Sequence, residues 1–129
     1  MEKIRTNKAP LPVGHYSQAI VTNDLVFVSG QLPIDPNNGK KNLGPIEAQT
    51  EMVIKNLENI LLEAGSDLAH VIKITVYISN INLWDRVNTV YARLFGNHKP
   101  ARTIVPTREL HYGFQIEIDA IAQRINSKT

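Results

Sequence analysis

The amino-acid sequence predicts an α+β domain in which a mixed sheet carries two helices on one face. Two segments repeat apolar residues with the 3.6-residue period of amphipathic helices, and five are rich in the β-branched and aromatic residues of strands. Their order is a hairpin, a helix, a strand, a helix and two further strands, which is typical of that class. A chain of 129 residues suits one such domain, so we expect residues 1–129 to form a single domain.

A β-hairpin is predicted near the N-terminus. Asn23 and Asp24 supply turn chemistry between two extended runs, the second of which extends from Leu25 to Ser29. That second run meets Gly30, where the missing side chain lets another backbone or a ligand approach closely. The segment that follows, DPNNGKKN, is typical of a loop.

Two amphipathic helices are predicted on either side of a strand. The first begins at Pro45, which suits a first helical turn, and ends at Gly65, which suits a C-terminal cap. The strand HVIKITVYIS follows, with Lys73 interrupting its apolar pattern. The second helix begins near Asn82, a good N-cap residue, and ends at Gly96.

The last two predicted strands are ARTIVPTREL and GFQIEIDAIAQRI, separated by a short turn at residues 111–113. In the final strand, apolar residues alternate with Gln115, Glu117 and Asp119, which is the pattern of a sheet with one packed face and one polar face. The strands that begin at Leu25 and Val71 are almost continuously apolar, yet two helices can cover only one side of the sheet. We therefore expect association into an oligomer to bury the other side.

Composition excludes several kinds of site. Because the chain contains no cysteine, disulfides, cysteine-ligated zinc and thiol catalysis are excluded, and a reducing cytoplasm is compatible. The four histidines are too far apart for a helical metal pair, so no metal is assigned. No apolar window could cross a membrane and the charged first residues do not fit a signal peptide, so we expect a soluble cytoplasmic protein. The fourteen basic residues are scattered among twelve acidic ones, which is weak support for a nucleic-acid partner.

Four positions are candidates for chemistry: Tyr16, Gly30, Arg102 and Glu117. Arg102 is either a surface or ion-paired residue, with Glu117 or Asp119 as the partner, or a residue whose guanidinium binds a ligand carboxylate by two hydrogen bonds. Glu117 is either an exposed strand residue or a base that orients water, and Tyr16 is either a core residue or a hydroxyl donor. Taken singly, none of these residues decides between its alternatives.

Six segments carry a family resemblance that covers nearly the whole chain: VGHYSQAI, VFVSGQLPIDPNNG, NLENILLEAGSDLAHVIKITVYI, RVNTVYARLF, PARTIVPTREL and IEIDAIA. In this order and spacing they resemble the Rid family, also called the YjgF family, of reactive-intermediate imine deaminases. The run from Pro100 to Arg102 and the pair Glu117 and Ile118 make the resemblance more specific than a single-motif match.

The resemblance implies a chorismate-mutase-like fold assembled as a homotrimer, whose sheets form a central barrel with three sites in the clefts between subunits. It also implies hydrolysis of 2-imino acids, formed by tautomerisation of 2-aminoacrylate or 2-aminocrotonate, to 2-oxo acids and ammonia, with neither metal nor organic cofactor. The expected partners are small 2-imino and 2-oxo acids and further copies of the chain. A trimer would account for the second buried face of the sheet.

The resemblance further implies roles for individual residues. Arg102 looks like the carboxylate-binding arginine of the family, Glu117 like the acid that holds the attacking water, and Tyr16 like the tyrosine that lines the pocket. Gly30 and Ile104 match positions whose backbone groups face the substrate. Three more residues fall in family segments near the site: Ser29, Lys73 and Asn88. A guanidinium that anchors the substrate and one carboxylate can suffice to catalyse this hydrolysis, because imines also hydrolyse spontaneously.

Three positions depart from the family pattern. Ile104 stands where the family often has Cys, His15 stands where Pro is common, and His111 replaces the Pro of a frequent Leu-Pro pair. If position 104 contributes mainly its backbone N–H, the side chain alters pocket packing rather than chemistry. The two histidines change the local turns and remove no charge that the mechanism needs.

Two other functions stay open at the level of sequence. A non-catalytic regulator could bind a 2-oxo acid in the same cleft, since fold and family do not guarantee turnover. An RNA-cleaving or RNA-binding protein is the third alternative, because that description is sometimes attached to this family. The scattered basic residues and the lack of a base-stacking aromatic motif argue against it.

Overall fold

A six-stranded mixed sheet and two α-helices make up the computed structural model, which describes residues 1–125. The strands are β1 Glu2–Ile4, β2 Ala19–Thr22, β3 Leu25–Gln31, β4 Val71–Ile78, β5 Ala101–Pro106 and β6 Ile116–Gln123, and the helices are α1 Ile46–Glu63 and α2 Trp84–Phe95. The strand order is β1-β2-β3-β6-β4-β5, in which only the β4–β5 pair is parallel. The predicted α+β class is therefore confirmed.

The predicted hairpin forms from β2 and β3, which pair antiparallel from Ala19 opposite Val28 to Thr22 opposite Leu25. Asn23 has a φ of 52°, a left-handed conformation that Asn tolerates in tight turns. Beyond Val28 the pairing of β3 with β6 becomes irregular before it resumes with Gln31 opposite Ile118. This irregularity lies at Ser29 and Gly30, next to the cavity described below.

Both helices end where their glycines predict. Gly65 follows α1 with a φ of 82° and Gly96 follows α2 with a φ of 64°, a region that L side chains rarely adopt. The predicted start of α2 at Asn82 is wrong. Asn80 instead caps a short 3₁₀ turn by accepting a hydrogen bond from the Asn82 backbone N–H at 2.8 Å, and α2 begins two residues later at Trp84.

The hydrophobic core lies between the two helices and one face of the sheet. Alternate residues of β6 are buried there, namely Ile116, Ile118, Ala120 and Ala122, together with the apolar faces of β3 and β4 and the inner stripes of α1 and α2. The opposite face of the sheet carries apolar side chains that one chain leaves partly open. Leu25 is 36% exposed, Phe27 40% and Ile72 45%, so the expected burial of this face by an oligomer stays a prediction.

Two features of the sheet were not predicted. The short strand β1 pairs with β2 at the edge of the sheet. The last two strands do not pair with each other, because β4 lies between them: it pairs parallel with β5 and antiparallel with β6. The parallel β4–β5 pair is possible because α2 carries the chain back across the sheet. Neither helix within residues 1–125 has the length and apolar character needed to cross a membrane.

Candidate active site

A cavity of about 490 Å³ opens beside the irregular part of β3 and collects four of the predicted site residues, Tyr16, Ser29, Gly30 and Glu117. Its lining includes Tyr16, Ser29, Gly30, His111, Tyr112 and Glu117. These residues come from the loop before β2, from β3, from the turn before β6 and from β6 itself. Two strands and two loops therefore converge on one carboxylate, Glu117.

The Glu117 carboxylate lies directly over the α-carbon of Gly30. A Cβ atom placed on Gly30 would stand 2.2 Å from Glu117 Oε2, a distance that real side chains do not reach. Gly30 is therefore needed for its lack of a side chain, which is the close approach that the sequence predicts.

Tyr16 reaches the same cavity from an exposed loop. Its side chain is 50% exposed, so the core alternative for Tyr16 is wrong. The Ser29 hydroxyl donates a hydrogen bond to the Ser17 carbonyl at 2.6 Å, and the Ser29 N–H donates to the Gln18 carbonyl at 2.9 Å. Ser29 thus fastens the segment that follows Tyr16 to β3.

Burial dominates the electrostatics of Glu117. The half-buried carboxylate loses hydration, which raises its pKa above the ordinary value of 4.5. Nearby His111 opposes this shift and lowers the pKa, while the negative charge of Asp119 raises it further. A carboxyl group with a raised pKa in a cleft is a candidate for proton transfer near neutral pH.

Arg102 lies elsewhere, on the edge strand β5, where an aromatic pair holds its guanidinium. The guanidinium carbon is 4.5 Å from the centroid of the Trp84 ring and 4.8 Å from that of Tyr91. Arg102 Nη1 also donates a hydrogen bond to Asn88 Oδ1 at 3.0 Å. Since residues 84, 88 and 91 share one face of α2, the helix presents all three to Arg102. The contacts orient a cation near the free edge of the sheet.

The alternative in which Arg102 pairs with a carboxylate of β6 is wrong. Its hydrogen-bond acceptor is Asn88, and Asp119 instead accepts a hydrogen bond from the Tyr77 hydroxyl at 3.1 Å. Burial also raises the pKa of Tyr91, an effect that the adjacent Arg102 opposes.

Ile104 and Lys73 lie near Arg102 but point in different directions. Ile104 is two residues along β5, on the same side as Arg102, and packs against the core. Lys73 Nζ donates a hydrogen bond to Thr103 Oγ1, and Thr103 points to the side opposite Arg102. Lys73 therefore neither lines the Glu117 cavity nor belongs to the aromatic cluster around Arg102.

Arg102 and Glu117 project from opposite faces of the sheet. In the register, Arg102 is opposite Ile74, whose side chain is buried on the helix side, whereas Glu117 is opposite Tyr77 on the other side. Strands lie about 4.8 Å apart and rise about 3.3 Å per residue, so two strands and three residues separate the two α-carbons by roughly 14 Å. One chain does not bring the predicted anchor and the predicted base together.

A family model described as Endoribonuclease L-PSP matches residues 6–124, nearly the whole described chain. The chain belongs to this family. Members of the Endoribonuclease L-PSP family carry the Rid and RutC names, which confirms the predicted Rid, or YjgF, resemblance. The matched range includes both Arg102 and Glu117.

Curated relatives of this family cover almost the same length. A RutC family protein of Pyrococcus abyssi is 46% identical over 123 residues, which are 95% of this chain and 97% of the relative. A protein of Rattus norvegicus named 2-iminobutanoate/2-iminopropanoate deaminase is 40% identical over 119 residues, covering 92% of this chain and 87% of the relative.

Solved structures of the family share the fold closely. RidA from the Antarctic bacterium Psychrobacter sp. is 34% identical with a TM-score of 0.91, and covers 95% of this chain and 99% of its own. TdcF of E. coli, solved with bound serine, is 32% identical with a TM-score of 0.92, and covers 97% of this chain and 100% of its own.

Several residues at these two places were not predicted as part of a site. Trp84 and Tyr91 have the spacing of an apolar helix stripe, and in the structure they also hold Arg102. His111 and Tyr112 were assigned to a turn, yet both line the Glu117 cavity. The one signal in the sequence was the histidine at position 111, where the family often has proline. Within residues 1–125 no group of three or more His, Asp or Glu side chains could hold a metal ion.

Proposed function

We propose that this protein hydrolyses reactive 2-imino acids to 2-oxo acids and ammonia, at sites shared between the protomers of a cytoplasmic homotrimer. Family membership and the 40% identical rat deaminase support this reaction class. The side chains support it as well, because the reaction needs one anchor for a carboxylate and one group that orients water.

Arg102 is the carboxylate anchor in this mechanism. Trp84 and Tyr91 contact the guanidinium, and Asn88 accepts from Nη1, so the cation is held in place before a ligand arrives. A planar guanidinium can hold a carboxylate by two charge-assisted hydrogen bonds, each contributing about 1.5–3 kcal/mol. Anchoring at Arg102 fixes the C2 atom of the substrate relative to the rest of the site.

Glu117 is the group that orients and deprotonates the attacking water. Its raised pKa makes it a stronger base than an ordinary carboxylate. The close contact with Gly30 fixes the position of the carboxylate, and Tyr16 lines the same cavity. Because a solution imine already hydrolyses without a catalyst, positioning and proton transfer supply enough acceleration.

The main support for a site shared between protomers is that Arg102 and Glu117 project from opposite faces of the sheet. A 2-imino acid is too small to contact both side chains of one chain, because they project from opposite faces of the sheet and their α-carbons are roughly 14 Å apart. The edge strand β5 and the partly exposed apolar face around Phe27 support closure of the site by a second copy. In this assembly, Arg102 of one protomer completes the Glu117 cavity of its partner.

A coupled assay tests the reaction. Threonine dehydratase generates 2-iminobutanoate in a buffer that does not consume imines, and imine decay is followed with and without this protein. We expect acceleration by the wild type, and a loss of about a hundredfold or more in kcat/KM for Arg102→Ala, since the anchor contributes at least about 3 kcal/mol. Arg5→Ala, an exposed arginine of the opposite sheet edge, is the matched control. No acceleration by the wild type would refute the proposal.

The alternative of a non-catalytic 2-oxo-acid regulator uses the same anchor. The Glu117→Gln variant distinguishes the deaminase from the regulator. A deaminase carrying this substitution loses turnover and keeps 2-oxobutanoate binding, whereas a regulator has no turnover in the wild type. RNA cleavage is the competing activity that the family description raises. A nuclease activity that copurifies with the protein and disappears in Glu117→Gln would favour it.

A further inference from the structure

His111 occupies the Glu117 cavity without a role in the mechanism above. It lies on the 3₁₀ turn His111–Gly113, which leads from the segment after β5 into β6. The cavity that contains Glu117 is lined by His111 as well. An imidazole can donate and accept protons, which the proline common at this position of the family cannot do.

The turn that carries His111 is held in an unusual conformation. Tyr112 has a φ of 59°, in the left-handed region that a bulky residue rarely adopts, and Gly113 follows with a φ of 79°. The Tyr112 ring packs edge-on against buried Phe114, with centroids 5.9 Å apart, and Lys41 Nζ lies 4.6 Å from the Tyr112 centroid. Such backbone strain persists where surrounding contacts maintain it, and it concentrates at functional sites.

The backbone of the turn fixes the position of His111 relative to the sheet. The Phe114 N–H donates to the His111 carbonyl at 3.0 Å, and the Gly113 N–H donates to the Leu110 carbonyl at 3.3 Å. The imidazole also contacts the Tyr112 ring, at 5.6 Å between centroids. These contacts place the imidazole in the lining of the cavity, three residues before buried Phe114 and five residues before β6 begins at Ile116.

His111 also affects the pKa of Glu117. Burial raises the pKa of Glu117, and His111 acts against that shift. A histidine and a half-buried carboxylate in one cavity form the two-group arrangement in which one side chain donates a proton while the other accepts one.

We propose that His111 is a second proton-transfer residue of this site, donating a proton to the imine nitrogen while Glu117 takes one from water. The inference rests on the proposed function and adds a catalytic group to it. It assigns the leaving ammonia to the side of the cavity formed by the His111–Gly113 turn.

The proton transfers balance over two steps. In the first, a water oxygen bonds to C2 as Glu117 accepts a water proton, and the C=N π pair moves to nitrogen, which takes a proton from the His111 imidazolium. In the second, Glu117 returns its proton to nitrogen, the C–N bond breaks with its pair leaving as ammonia, and neutral His111 accepts the hydroxyl proton as C=O forms. Both side chains end in their starting states, and the sum is imine plus water to 2-oxo acid plus ammonia.

This role makes turnover depend on pH through a known set of neighbours. Tyr16, Tyr112 and Glu117 are the other titratable groups of the cavity lining, Lys41 contacts Tyr112, and Asp119 acts on Glu117 from β6. Because the proposed step needs a protonated His111, the wild-type kcat is expected to fall as the pH is raised and the imidazolium is lost.

The test compares kcat against pH for wild type and His111→Gln in the dehydratase-coupled assay. We expect kcat of His111→Gln to fall about tenfold or more and to lose the basic limb, since general acid catalysis typically contributes 10²–10⁴-fold and Glu117 retains part of it. His70→Gln is the control, because His70 pairs with Asp67 on a distant turn and should leave both kcat and its pH profile unchanged.

Chemical rescue supplies a second readout that a structural role would not affect. Added imidazole should restore kcat of His111→Ala, measured above the background of Arg102→Ala in the same imidazole. An unchanged kcat and pH profile in His111→Gln, with an active wild type and an inactive Arg102→Ala, would overturn this inference alone. A His111→Ala protein that is slow and not rescued would also overturn it, and an inactive wild type would overturn both proposals.

Discussion

Arg102 and Glu117 project from opposite faces of one sheet, with β4 between their strands. The guanidinium contacts α2 on the helix side, whereas the carboxylate lies over Gly30 on the other side. Each side chain is preorganised separately, and neither contacts the other. The proposed reaction therefore depends on an assembly that brings two preformed halves together.

Replacing Trp84 by Leu should weaken the carboxylate anchor. The Trp84 ring lies 4.5 Å from the guanidinium carbon of Arg102, and a cation–π contact of this kind contributes about 0.5–2 kcal/mol. We expect KM for 2-iminobutanoate to rise roughly 2- to 30-fold with a smaller change in kcat. Trp84→Phe keeps a ring and should show a smaller rise in KM. Equal KM values for the Trp84→Leu and Trp84→Phe variants would show that the ring does not hold Arg102.

Replacing Gly30 by Ala should displace the Glu117 carboxylate. The new Cβ would stand 2.2 Å from Glu117 Oε2, so the carboxylate must move. We expect kcat to fall by about ten- to a hundredfold, since a misplaced base loses much of its contribution. Gly44→Ala is the control, because its Cβ would meet only Asn42 Oδ1, at 3.1 Å, in the loop before α1. Full activity of Gly30→Ala would contradict the assigned position of the base.

Glu117 should make the stability of the fold depend on pH. Its pKa is raised by burial in the folded state, so deprotonation favours the unfolded chain. The contribution of protonated Glu117 to the free energy of unfolding is full below the pKa of 4.5 that the group has in the unfolded chain. This contribution is lost as the pH rises through the higher pKa of the folded state. In urea titrations from about pH 4 to about pH 8, the free energy of unfolding of Glu117→Gln should rise relative to wild type as the pH increases. A constant difference would mean that burial does not perturb this group.

Local sequence patterns predicted most of the fold. The alternation along β6, the apolar stripes of α1 and α2 and the glycines after both helices each identify an element by periodicity or by backbone freedom. β1 was missed because three residues are too few to show a period, and the start of α2 was misplaced because Asn80 caps a 3₁₀ turn first. The position of β4 between β5 and β6 depends on long-range pairing, which local patterns do not contain.

The site was less predictable than the fold. Tyr16 and Glu117 are about a hundred residues apart, and pairing of β3 with β6 is what brings their segments together. The aromatic residues of α2 satisfy a helical period and support Arg102 at the same time, so periodicity alone hides their second role. The separation of Arg102 from Glu117 follows from strand register and face, which only the three-dimensional structure supplies.

The central claim is that each site takes Arg102 from one protomer and Glu117 from the next. The most direct test refolds or coexpresses Arg102→Ala and Glu117→Gln, each inactive alone, in equal amounts. In a closed ring with random mixing, about one quarter of the sites pair an intact Arg102 with an intact Glu117, so about one quarter of wild-type activity should return. If both residues served one site within a single chain, no intact site could form, and a mixture as inactive as its components would contradict the account.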